Sequence, residues 1–215
     1  RLYRSLEIVE IDPGYSPGEL ADIAAEVVRR NLPLVETGSD LGMGIFVTPG
    51  PDPGLSGGVQ DGPTVCVHTH PLRFELWVDK YRQGESVVVS QIVQVPRACW
   101  PPELKCRSRM HYFLADQRAR TADGGGQAVL LDDRGNVCET STANVVMFRM
   151  DEGLISPPRD RILPGISLET LAELAKQLGI PFVQREFHPD ELATADGLVL
   201  AAYLLEESRE GLEKG

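Results

Sequence analysis

The stretch from residue 128 to residue 179 constrains the fold most. Residues 128–131 read as a short strand, Asp132-Asp133-Arg134-Gly135 as a hairpin turn, and Val137-Cys138 as the start of the returning strand. Residues 144–148 and 153–156 form a second strand pair. A helix follows over 167–178, with Leu168, Leu171, Ala172, Leu174, Ala175 and Leu178 on its apolar face and Gly179 as its stop. Strand pairs that lead into an amphipathic helix predict an α/β (α+β) chain.

The flanking sequence extends this pattern. Leu2, Leu6 and Val9 give a helical stripe that ends at Asp12-Pro13-Gly14. Nothing caps that helix, and the chain opens on Arg1 rather than Met, so an N-terminally incomplete chain is expected. Ser16-Pro17-Gly18-Glu19 has the pattern of a capping box and opens a helix running to about Asn31. Strands are expected over 42–48, 64–70 and 86–93, with a mobile Pro/Gly-rich loop over 49–63 and a short helix within 74–84. A helix is expected from about Arg107 to Thr121, ended by Gly124-Gly125-Gly126. Strands over 181–186 and 197–201 flank a short helix over 189–194. At 215 residues the chain has room for one large domain or two small ones. The Pro96 to Pro102 stretch, with Trp100-Pro101-Pro102, marks the expected division. It gives a smaller N-terminal domain over 1–97, a linker over 98–104 and a larger domain over 105–215.

Composition narrows the function classes. A net charge of −11 without a Lys/Arg run argues against nucleic acid as a partner. No apolar run is long enough to span a membrane, and no signal peptide is evident. Cys66, Cys99, Cys106 and Cys138 form no CxxC pair or zinc spacing, and read as free thiols in a reducing cytoplasm. His68 and His70 share one strand face, but two ligands are too few for a defined metal site. A structural or subunit-interface role is expected for them, and no metal.

Three positions carry chemistry. Lys105 precedes the amphipathic segment Met110-His111-Tyr112-Phe113-Leu114-Ala115, near Arg107 and Arg109. A lysine beside cations has a lowered pKa and can act as nucleophile and proton shuttle. Glu139 follows the buried-looking Val137-Cys138. Gly165-Ile166-Ser167 opens the later helix, where amides and dipole favour an anion. A lysine for an aldehyde, a carboxylate for a pyridinium and a helix start for a phosphate are the parts of a pyridoxal 5'-phosphate site. The same residues also read as a solvated lysine, a strand-end glutamate facing water and a helix cap. Thr142 reads either as a supporting hydroxyl in the site or as one that satisfies a turn.

These residues carry a family resemblance. The run from Lys105 to Leu114-Ala115-Asp116-Gln117-Arg118-Ala119 resembles the cofactor-lysine region of class IV, fold type IV aminotransferases. Glu139 to Asn144 resembles their Glu-x-Ser/Thr-x-x-Asn signature, and residues 162–167 their Leu-x-Gly-Ile-Thr turn, with Ser167 for threonine. Arg1-Leu2-Tyr3 resembles the end of their His-x-x-Arg-Leu motif. The resemblance implies a two-domain fold like that of D-amino acid aminotransferase, with the cofactor between the domains. It further implies that Lys105 bonds the cofactor aldehyde, Glu139 faces its ring nitrogen and Leu163 packs beneath the ring. Gly165, Ile166, Ser167 and Arg1 then meet the phosphate. The implied reaction is ping-pong transfer of an amino group from an amino acid, branched-chain type favoured, to a 2-oxo acid, by a homodimer. The alternatives are β-elimination, as in 4-amino-4-deoxychorismate lyase, and a non-catalytic member. Residues 48–56 hold no counterpart of the D-amino acid enzymes' Arg-x-His carboxylate trap. The resemblance also places a phosphate-contacting loop between Ala202 and Tyr203, where an interruption of the chain is expected.

Overall fold

The computed structural model describes residues 1–36, 39–52, 54–57, 62–76, 78–123 and 126–202. The expected interruption after Ala202 lies outside the described residues. The chain divides into two compact units, Arg1–Gly84 and Glu85–Gly215. This division falls earlier than the Pro96 to Pro102 stretch. The reason is pairing: Ser90 N donates to Val129 O at 2.9 Å and Gln94 N to Leu131 O at 2.8 Å, tying residues 85–95 to the second unit.

The first unit carries helices α1 (Leu2–Ile8) and α2 (Pro17–Asn31), strands β1 (Asp40–Thr48) and β2 (Thr64–Leu72), and the short helix α3 (Lys80–Gln83). The capping box forms as read. Ser16 Oγ accepts from Glu19 N at 3.3 Å, and Ser16 N donates to Glu19 Oε2 at 2.8 Å. β1 and β2 pair antiparallel without slip, with Gly42 opposite His70 and Gly44 opposite His68. The imidazoles lie across these glycines: a Cβ at Gly44 would run into His68 Nε2. The histidines therefore cover a two-stranded sheet. Among the described residues no group of three or more His, Cys, Asp or Glu side chains could hold a metal ion. The loop between the strands is described in part, and there Asp52 Oδ1 accepts from Gly54 N at 2.7 Å.

The second unit is built on a sheet of β3 (Val87–Val89), β4 (Gln127–Leu131), β5 (Val137–Thr140), β6 (Ala143–Arg149), β7 (Gly153–Ser156) and β8 (Phe182–Gln184), in that order. A further strand, β9 (Gly197–Ala202), pairs with β6. The described residues of the unit also form helices α4 (Met110–Asp123), α5 (Ile166–Gln177) and α6 (Pro189–Leu192). β3 is shorter than its sequence suggests because Ser90 Oγ takes the Ile92 amide at 2.9 Å and turns the chain. β6 is buried on both faces, which explains its unbroken apolar run. Val146 joins Cys138, Ile162, Leu168 and Ala201 in one cluster, while Val145 and Met147 join Val129, Val137 and Phe187 in another. Asp132 closes the hairpin before β5 as expected, its Oδ1 accepting from Arg134 N and Asn136 N. At the end of α5, Gly179 takes φ +70, which a side chain would resist, and Ile180 N reaches back to Ala175 O at 2.8 Å.

Helix α4 departs from expectation at its start. It starts at Met110 rather than Arg107, because residues 101–106 are still turning: Leu104 N bonds Pro101 O and Cys106 N bonds Leu104 O. Its packed side is also not its bulkiest. Ala115 and Ala119 lie on Ala128 and Leu130, with Tyr112 beside them, while Met110 and Phe113 stay exposed. Small residues four apart let helix and sheet approach closely.

Candidate functional site

Glu139 lies on β5, directly opposite Asn144 on β6. Two strands joined by the Ser141-Thr142 turn bring both side chains together. The turn is held by Thr140, whose Oγ1 accepts from Ala143 N at 2.9 Å and Thr142 N at 3.3 Å. The turn-satisfying hydroxyl is thus Thr140's, and Thr142 is exposed.

The Glu139 side chain is 5% exposed and takes four donors. Oε1 accepts from Tyr112 Oη at 2.7 Å and Gln94 Nε2 at 2.8 Å. Oε2 accepts from Asn144 Nδ2 and from Leu163 N, both at 3.1 Å. Gln94 Nε2 also donates to Tyr112 Oη at 2.7 Å, closing a triangle of three side chains. Burial pushes the Glu139 carboxyl up to about 7, against the pull of the Tyr112 hydrogen bond, the Leu163 amide and the Arg109 and Lys105 charges. Without those donors and cations the group would be more strongly neutral. Burial foremost, then the Glu139 charge, raises the Tyr112 phenol far above its ordinary value, so it stays a donor.

Lys105 is exposed, on the loop ahead of α4, and lines one cleft with Glu139, Tyr112, Gln94, Arg109 and Leu163. The Arg109 guanidinium lies 4.7 Å from the centroid of the Tyr112 ring and donates to the Ser141 carbonyl. Leu163 is therefore both a cleft wall and, through its amide, a ligand of Glu139.

The α5 start stands one contact further on. Gly165 caps α5 without a side-chain bond. A Cβ there would run into Asn144 Oδ1, so glycine is required by close approach. Asn144 Nδ2 in turn bonds Leu163 O at 2.9 Å. Asn144 thereby links Glu139, Leu163 and Gly165. The first amides of α5 have no acceptor inside the helix. Ser167 Oγ donates to Ala202 O, joining the α5 start to the end of β9. Ile166 is exposed. Arg1 is an exposed residue of the first unit, at the start of α1.

The structure thus brings together Lys105, Glu139 and Leu163, with Gly165 adjacent through Asn144. In the sequence, Tyr112 and Asn144 stand out only as parts of motifs, and Gln94 belongs to none. Asn144 was findable, since a tight hairpin sets it across from Glu139. Gln94 left no local signal, because its place depends on the parallel pairing of β3 with β4.

Comparison with known proteins identifies the family. The chain matches the family Amino-transferase class IV over residues 1–205. It is 39% identical over 119 residues to the probable branched-chain-amino-acid aminotransferase of Thermotoga maritima, covering 54% of this chain and 42% of that protein. It is 29% identical over 202 residues to the putative branched-chain-amino-acid aminotransferase of Methanocaldococcus jannaschii, covering 93% of this chain and 66% of that protein. The crystal structure of the T.th. branched-chain amino acid aminotransferase with pyridoxamine 5'-phosphate superposes with a TM-score of 0.76 at 25% identity. The match covers 91% of this chain and 62% of that one. The chain thus spans less than two thirds of these relatives. The α+β fold expected from the motifs is the fold of these neighbours. This chain belongs to the class IV aminotransferase family.

Proposed function

We propose that the protein is a pyridoxal 5'-phosphate-dependent aminotransferase that moves an amino group from an amino acid, of branched-chain type, to a 2-oxo acid. The observation that carries this reading is Glu139: a buried carboxylate inside four donors, in one cleft with Lys105. The residues fit the cofactor. A primary amine stands on the cleft wall, a carboxylate lies at its floor, and Gly165 lets the α5 start approach Asn144 beside that carboxylate. When bound, the cofactor supplies an aldehyde for amine exchange and a ring that accepts electrons from the substrate Cα.

The chain's own residues do the rest. Lys105 Nζ would hold the cofactor at its aldehyde carbon and would carry the proton from the substrate Cα. Glu139 would hold the proton on the ring nitrogen. Leu163 would pack against the ring. The amides of Ile166 and Ser167, after Gly165, would offer the phosphate the positive end of α5, with Thr142 as a supporting hydroxyl in the site. Relatives named as branched-chain aminotransferases support the substrate class. The reading includes a homodimer in the cytoplasm, where free thiols persist; the four cysteines are unpaired here. Sedimentation of the full-length protein as a stable monomer counts against the dimer.

Borohydride reduction of the cofactor-loaded protein followed by peptide mapping tests the lysine. Label is expected on Lys105, and label on Lys80 or Lys176 instead rejects the assignment. A panel of amino donors tests the reaction. Branched-chain donors should convert the bound cofactor's absorption to that of its amine form. Pyruvate release without an acceptor would instead mark a lyase.

A further inference from the structure

An ionised carboxylate offers about four acceptor positions. All four on Glu139 are taken by the chain itself: Gln94, Tyr112, Asn144 and the Leu163 amide. A ring N–H that comes to this carboxylate therefore enters as a fifth donor. We infer that binding of the cofactor is an exchange, in which the Tyr112 hydroxyl gives up its place on Glu139 Oε1 to the ring N–H. This rests on the functional reading above.

The other three donors are each fixed by a second bond. The Leu163 amide belongs to the main chain, whose carbonyl Asn144 Nδ2 holds at 2.9 Å. Asn144 sits in the β6 ladder, paired with Glu139 on one side and Ala201 on the other. Gln94 is pinned through its own amide to Leu131 O, and its Oε1 accepts from Val95 N at 3.0 Å, which sets the plane of its side-chain amide. Tyr112 also has a second bond, accepted by its Oη from Gln94 Nε2 at 2.7 Å, but this comes from a side chain rather than from main chain or a strand ladder. Its ring is half-buried on the cleft wall that Lys105 also lines, and only a phenol tip enters the shell. If the Tyr112 side chain swings out, Gln94 Nε2 keeps its bond to Oε1 at 2.8 Å and gives up the one to Tyr112 Oη, while the phenol comes to face the cleft. Tyr112 is thus a positioning residue: it keeps Glu139 ionised and oriented until the ring N–H replaces it.

The exchange makes Tyr112 a competitor of the cofactor, so removing its hydroxyl should help loading. The test is Tyr112→Phe, with dissociation constants for pyridoxal 5'-phosphate measured by absorbance well above the titration range of Glu139. The variant should bind about tenfold more tightly than the unaltered protein, the worth of one hydrogen bond to a charged group. The carbon analogue in which a C–H replaces the ring nitrogen provides the control. It brings no donor, and the two proteins should bind it alike. Thermal unfolding gives a readout apart from affinity: the variant should lose stability without the cofactor and recover most of the loss when loaded. Weaker or equal binding of pyridoxal 5'-phosphate by the variant overturns the exchange while leaving the functional reading intact. Failure of both proteins to take up the cofactor at all overturns both.

Discussion

At the scale of single residues, Glu139 sets a pH dependence that can be measured without the cofactor. Its carboxyl is raised by burial from 4.5 to about 7 in the folded protein. A folded value above the unfolded one means that the native state holds the proton more tightly. The resulting contribution to stability is fully present below about pH 4.5 and is lost as pH rises through about 7. Across that window it amounts to on the order of 3 kcal/mol. Glu139→Gln keeps the shape and removes the titration. The stability of the unaltered protein relative to this variant should therefore fall between about pH 5 and 8 in denaturant titrations. A constant difference across that range would show that Glu139 is ionised throughout.

At the scale of elements, sequence legibility followed the range of the forces involved. The α2 start was readable because Ser16 and Glu19 satisfy each other within one turn. The hairpin at Asp132 was readable for the same reason, as one carboxylate takes two amides nearby. The ends of β3 and α4 were not. β3 stops at a serine hydroxyl that competes with the ladder, and α4 starts late because a proline-led turn persists to Cys106. The site divides the same way. Lys105, Glu139 and the α5 turn stand out by type and order, whereas Gln94 joins them only through sheet pairing. The join between Gly165 and Asn144 is another nonlocal feature, and it yields a prediction. In Gly165→Ala the new Cβ collides with Asn144 Oδ1, so Asn144 or the α5 start must shift. Asn144 then releases Glu139 or Leu163. A stability loss of about 1–3 kcal/mol is expected, as for overpacking, together with a changed Glu139 titration. Unaltered denaturant midpoints and an unaltered pH profile would mean that the helix start moves freely.

At the scale of the whole molecule, the two units differ in how much core they own. The second unit buries three clusters, around Val146, Met147 and Leu130, and every member lies within that unit. Among its described residues, the first unit buries Leu6, Leu20 and Ala24 with Pro13 and Ser5. Its sheet is one pair of strands, and Met43 on β1 is 42% exposed. Two strands and three helices with so few buried side chains supply little apolar burial against the entropy of ordering the chain. Opening free energy should therefore be lower in the first unit than in the second. Amide hydrogen exchange read peptide by peptide tests this: α2, β1 and β2 should exchange well before β4, β5 and β6. Two substitutions sharpen the test. Phe187→Ala hollows the second unit's core, where Phe187 is 2% exposed, and should cost about 3–5 kcal/mol. It should accelerate exchange in β4 to β6. Leu20→Ala should act on α2, β1 and β2 instead. Uniform acceleration of both units by either substitution would mean that the chain opens as a single cooperative body, and that the division at Gly84 marks no boundary in its energetics.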